Sequence, residues 1–168
     1  MVQSAPQTRP WREQYEGMIP SLVNKTMRYC AAENVAAVNM PHGSVVSRVL
    51  ASPRLVTQPT ATAARVSGIV VANMQRVAIP INGVLCVKAG DPVTVLEDGD
   101  IVMFSEVAAK RGDQVFFRFA VNAGLTRLGA IAPAAGIGLD PLRGGVYLQD
   151  CPPGLVWIKY AFTLPAIV

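Results

Sequence analysis

His42 is the chain's single histidine, in Pro41-His42-Gly43, so any Ser–His or Cys–His nucleophilic pair would have to use it. Met40-Pro41-His42-Gly43 reads as a turn ahead of a strand, and His42 is given no catalytic role. Glu97, Asp98 and Asp100 crowd together in Glu97-Asp98-Gly99-Asp100. Paired carboxylates do acid–base chemistry when burial drives their pKa values apart, and alternating acidic oxygens in a turn attract calcium. This run is short and lacks the longer ligand pattern of a dedicated calcium loop. It is expected to be a solvated hairpin turn, as are the surroundings of Asp91 and Asp113. Cys30, Cys86 and Cys151 are odd in number and lack metal-like spacing; Cys86, in an apolar stretch, is expected as a buried reduced thiol.

Two further stretches invite a functional reading. Ala134-Ala135-Gly136-Ile137-Gly138 has the glycines of a phosphate-cradling loop, but no Lys-Ser/Thr follows and no strand-to-helix context surrounds it. Phe116-Phe117-Arg118-Phe119 could stack on single-stranded nucleic acid. Alternation puts Phe117 and Phe119 on one face and Phe116 and Arg118 on the other, so the simpler expectation is a core face backed by an interface face with a lone Arg. No catalytic residue, metal site or cofactor emerges, and the chain is read as non-enzymatic.

The elements that must carry these residues fall into three zones. Residues 1–43 are rich in Pro, Gln and Asn, and Pro6, Pro10, Pro20 and Pro41 forbid a long regular element. This zone is expected to be an extended N-terminal arm with at most one short helix, near Lys25–Val38, where Met27, Ala31, Val35 and Val38 follow helical spacing. Residues 44–168 are expected to form a β domain. Ser44–Leu50, Arg65–Ala72, Val84–Val87, Pro92–Leu96, Asp100–Val107 and Gln114–Val121 are short runs dense in Val, Ile, Leu and Phe, separated by Gly, Asp, Asn and Pro. Gly90-Asp91-Pro92-Val93, Gly99-Asp100-Ile101-Val102 and Gly112-Asp113-Gln114-Val115 share a turn-then-strand form. Leu125–Ala135 and Val146–Gln149 can pair with the sheet, Gly136–Gly138 and Gly144-Gly145 read as loops, and Leu155–Leu164 as an edge or closing strand. The fold class is all-β: a single-domain, jelly-roll-like β-sandwich or a small β-barrel with an extended N-terminal arm.

At 168 residues, with 51% hydrophobic and 15% charged residues, the chain has the apolar mass for a core and little charge with which to clothe a free surface. No apolar run reaches membrane-span length, and Met1–Gly17 lacks a signal core, so synthesis in a reducing cytoplasm is expected. The net charge of +4 arises wholly before residue 77, where eight Lys/Arg face three Glu. Those cations are dispersed instead of clustered beside aromatics, which argues against direct nucleic-acid binding. Trp11, Tyr15, Met18 and Ile19 stand as apolar anchors in an otherwise polar arm and need a surface to dock on.

The order of segments resembles the cement (capsid decoration) proteins of tailed-phage heads. The resemblance is carried by Glu16-Gly17-Met18-Ile19-Pro20, by Pro41-His42-Gly43-Ser44-Val45-Val46, by Gly68–Ala72, by Gly83–Val102, and by Gly112-Asp113-Gln114-Val115-Phe116-Phe117-Arg118. It implies a structural virion protein, made in the bacterial host cytoplasm, that binds the capsid exterior and bridges neighbouring major capsid subunits. It also implies a homo-oligomer, a trimer before a dimer, and no catalytic residues to carry over. The expected contacts are Arg9, Trp11, Arg12, Tyr15, Met18 and Ile19 on the arm, with Arg48 and Arg54 on a loop, since Trp, Tyr and Arg dominate interface energetics. The alternative is a small β-barrel oligomeric binding module acting on a large protein partner, with Lys88-Ala89-Gly90-Asp91-Pro92-Val93 leading into a hairpin.

Overall fold

A computed structural model describes residues 17–19, 28–34, 39–49, 52, 54–60, 66–72, 79–81, 84–120 and 128–161. They form twelve strands: β1 Arg28–Asn34, β2 Met40–Pro41, β3 Val45–Arg48, β4 Leu55–Thr57, β5 Val66–Val70, β6 Ile79–Ile81, β7 Val84–Val87, β8 Pro92–Ser105, β9 Gln114–Arg118, β10 Ile131–Ala132, β11 Leu139–Tyr147 and β12 Gly154–Ala161. The fold is all-β, as the alternation of short apolar runs and turn residues requires.

Its organising element is β8, 14 residues long. The front half of β8 pairs with β1 and β5, and β1–β4, β4–β3 and β3–β5 close a five-strand ring. The rear half pairs with β12 and β10, and β10–β9, β9–β11 and β11–β12 close a second ring. Two small barrels therefore share one strand. A short antiparallel sheet, β2-β7-β6, stands beside them. Closure removes the free edges that make open sheets aggregate.

Burial explains why the sequence reads as it does. In β12, Val156, Ile158 and Tyr160 are buried while Lys159 is exposed, the period-two pattern of a strand with one core face. The first ring differs: Val46, Val70, Val93 and Val95 pack together in one cluster, whereas Val45, Ile69 and Leu96 join the larger cluster that also contains Ile101, Met103 and Phe117. Val45 pairs with Ile69, and Ile69 with Leu96, so these three form a row across β3, β5 and β8. Strands buried on both faces appear as continuous apolar runs. Each of these fully buried side chains is worth about 1.5–3 kcal/mol of transfer free energy.

Several local expectations are corrected. Glu97-Asp98-Gly99-Asp100 is no hairpin turn; it lies inside β8, and Asp100 is buried. Gly-Asp chemistry signals a departure from regular backbone, and here Gly99, at φ +140°, marks the place where β8 leaves one barrel and enters the other. Gly90-Asp91 and Gly112-Asp113 do precede strands, β8 and β9. The hairpin expected after Lys88–Val93 is likewise replaced by the uninterrupted β8. Where helical spacing allowed a short helix over 25–38, residues 28–34 form β1, because the chain there gains a full ladder with β8, from Arg28↔Asp98 to Glu33↔Pro92. Gly144-Gly145 is part of β11, at a register irregularity against β9 between Pro141 and Val146.

Candidate protein-interaction surfaces

Among the described residues no group of three or more His, Cys, Asp or Glu is placed to hold a metal ion. His42 is buried in the turn between β2 and β3, and its Nδ1 has no hydrogen-bond partner among the described residues. Burial pushes its pKa down, so the ring is neutral at pH 7. Cys86 and Cys151 are both buried, and Cys151 is held by a two-bond bridge of its backbone with Ala109.

The polar feature that the sequence concealed is Arg118. It was expected on an interface face of β9; instead its side chain is 1% exposed and forks onto Glu106, itself 5% exposed. Nε donates to Oε1 and Nη2 to Oε2, both at 2.6 Å. Nη1 donates to the carbonyl of Ile137 at 3.2 Å and reaches that of Ala120 at 3.5 Å. The hydrogen bonds that Arg118 donates to the Glu106 carboxylate push its already high pKa further up. The one sequence signal for this pair was compositional: a lone Arg in a Phe-rich strand needs a buried carboxylate if the strand is covered on both faces.

A second chain of bonds ends close by. Ser105 Oγ donates to the Val107 carbonyl at 2.8 Å and lies 3.0 Å from the Tyr147 hydroxyl. A serine hydroxyl has one proton. Since Val107 takes it, Tyr147 donates to Ser105. Burial pushes the Tyr147 phenol up to about 12, and Tyr160 shifts in the same direction.

The result of both networks is that two surface segments are pinned from below. One carries Val107, 43% exposed; the other carries Ile137, 80% exposed. A buried polar network with defined partners fixes geometry. Two apolar side chains, Ile137 above all, are thus presented to solvent on firmly held backbone, a combination that favours binding because little ordering entropy remains to be lost. A shallow depression of about 540 Å³ lies among Ala108, Ala109, Lys110, Asp113, Asp150, Cys151 and Pro152. Its carboxylates are spent on structure: Asp113 accepts the Lys110 N–H at 2.8 Å and Asp150 that of Arg111 at 2.7 Å.

The expected contact residues are distributed unevenly. Arg9, Trp11, Arg12 and Tyr15 lie outside the described residues. Met18 and Ile19 are half-buried, and Ile19 packs against the larger core cluster. Arg48 closes β3 with its side chain 40% exposed and meets Glu97 at 2.8 Å. Arg54 is exposed at the start of β4, its backbone N–H on Ser52 Oγ at 3.3 Å. Both arginines therefore sit at the β3–β4 turn of the first ring.

The model of the structural cement protein family (E217 gp24/Pam3 gp6) matches residues 3–161. This chain belongs to the phage structural cement proteins. Its place is in the phage capsid and its role is structural. No curated protein matches the cement protein. Among solved structures it is similar to a chain of the capsid of Myoviridae phage XM1, with TM-score 0.67 and 13% identity over 98% of this chain and 100% of that one. At that identity the likeness speaks for the fold, and it supports the double ring described above. The head fibre gp8.5 N base of bacteriophage phi29 aligns over 83% of this chain and 99% of that one at TM-score 0.42 and 14% identity.

Proposed function

We propose that this cement protein binds the outer surface of an assembled phage capsid and bridges neighbouring major capsid subunits as a homo-oligomer, a trimer before a dimer. The observation that carries the reading is the family match, which runs from residue 3 to residue 161 and so spans the arm sequence and both rings. The mechanism is linkage: a protein that binds the assembled lattice better than free subunits stabilises the lattice by mass action. Two attachments on one chain multiply, because the second forms at the effective concentration set by the first.

The attachments we assign are the arm, through Arg9, Trp11, Arg12 and Tyr15, and the body, through Arg48, Arg54 and the rigid apolar tip at Ile137. Met18 and Ile19 serve the arm as its root. The test uses heads assembled without the protein. Adding the wild-type chain raises the temperature or chaotrope concentration at which heads disrupt, and Trp11→Ala or Ile137→Asp weakens the effect at equal concentration. Heads that disrupt identically with and without saturating wild-type protein would refute the proposal.

A further inference from the structure

The first described residues of the chain make backbone contacts out of proportion to their number. Gly17 donates its N–H to the Val102 carbonyl at 2.8 Å, Val102 donates its N–H to the Met18 carbonyl at 2.9 Å, and Ala72 donates to the Gly17 carbonyl at 3.0 Å. Val102 belongs to the rear half of β8, facing Trp157 of β12. Ala72 follows β5, and its neighbour Val71 donates to the Thr94 carbonyl in the front half of β8 at 2.9 Å.

These bonds report on the shape of β8. Thr94 and Val102 are eight residues apart, which in a straight strand is roughly 26 Å. The path through Val71, Ala72 and Gly17 contains three hydrogen bonds and two residue spans, at most about 16 Å. The long strand is therefore folded back between its halves, at the stretch that holds Gly99, and Gly17 bridges the fold. The seat is closely built. Gly17 is buried at φ +71°, and a Cβ there would stand 2.8 Å from Ala72 N, 2.9 Å from Val70 O and 3.0 Å from Gly43 N. All three are backbone atoms and cannot rotate away. Ile19 packs on the larger core cluster immediately afterwards.

We infer that Gly17–Ile19 is a clasp that holds β8 in its bend, sets the angle between the two rings, and fixes the root of the capsid-binding arm at the seam between them. Gly17 is thus a positioning residue for capsid attachment, an assignment that rests on the function proposed above. A partner that grips the arm is connected through the clasp to both rings at once, so force on the arm is shared by the whole body instead of unravelling one strand.

The test joins amide exchange of the free protein to its affinity for heads. In the wild-type chain the amides of Ala72 and Val102 exchange slowly, as core amides do; exchange at the rate of open loops would overturn the clasp without any variant. Gly17→Val is expected to speed exchange at these two amides by at least ~10-fold while leaving Phe117 and Ile158 protected, because opening there is local. It is also expected to weaken head binding by ~10-fold or more, through loss of effective concentration between arm and body. Trp11→Ala weakens head binding with exchange unchanged, which separates grip from clasp. Gly17→Ala is the milder variant if Gly17→Val does not fold. Unchanged exchange in the glycine variants, or fast exchange with unaltered head affinity, overturns the inference. Wild-type protein that ignores heads refutes the capsid reading instead, and the exchange measurement judges the clasp independently.

Discussion

Replacing Glu106 by Gln removes one charge and almost no volume, so it isolates the electrostatic role of the buried pair. Arg118 and Glu106 are 1% and 5% exposed, and both bonds of the fork measure 2.6 Å. An exposed pair of this type would contribute about 0–1 kcal/mol. A buried one whose partner is removed leaves an uncompensated charge, which costs about 3–5 kcal/mol. The carbonyl of Ile137 at 3.2 Å stays in place and takes up part of that cost. For a chain of this length each kcal/mol moves the midpoint by about 2–4 °C, so Glu106→Gln is expected to lower Tm by roughly 6–20 °C. Urea unfolding followed by circular dichroism measures the free energy directly. The double change Glu106→Leu with Arg118→Met removes both charges and is expected to recover most of the loss, since apolar replacements of buried pairs are often neutral. A single variant within about 1 kcal/mol of wild type would refute the claim that this pair is desolvated and holds the Val107 and Ile137 segments.

Other expectations follow from the same structure. Arg48→Ala removes a half-exposed ion pair with Glu97, so stability should change by no more than about 1 kcal/mol in the same urea titration, while head binding weakens measurably. Ser105→Ala strands the buried Tyr147 hydroxyl and should cost about 1–3 kcal/mol. Alkaline titration followed at the phenolate absorbance should show Tyr147 ionising near 12. An unfolded tyrosine ionises near 10, so the unfolded chain releases this proton first. Stability is then intact below about pH 10 and falls by up to roughly 1.4 kcal/mol per unit as pH rises from there through the folded value. Stability that is flat from pH 10 to 12 would contradict the burial of Tyr147.

The all-β class was legible because period two and turn residues are local properties. The apolar runs of β3, β5, β7 and β9 were visible for the same reason. What could not be read was pairing. Asp98-Gly99-Asp100 carries the composition of a turn, and only the existence of two rings on one strand turns it into the interior of β8. Leu55–Thr57 is too short to signal a strand by periodicity; it exists because β1 and β3 lie on either side of it. Arg118 looked like surface because charge is usually solvated, and its partner Glu106 is twelve residues away across a turn. Of the expected contacts, Arg48 and Arg54 come together at one turn, and Met18 and Ile19 turn out to engage the chain's own body.

Sedimentation of intact heads mixed with increasing amounts of the purified chain tests capsid binding itself. A cement protein that grips the lattice binds saturably and ends at a fixed ratio of copies to the main shell subunit. Protein that stays in the supernatant at every concentration, or pellets without saturation, would contradict it.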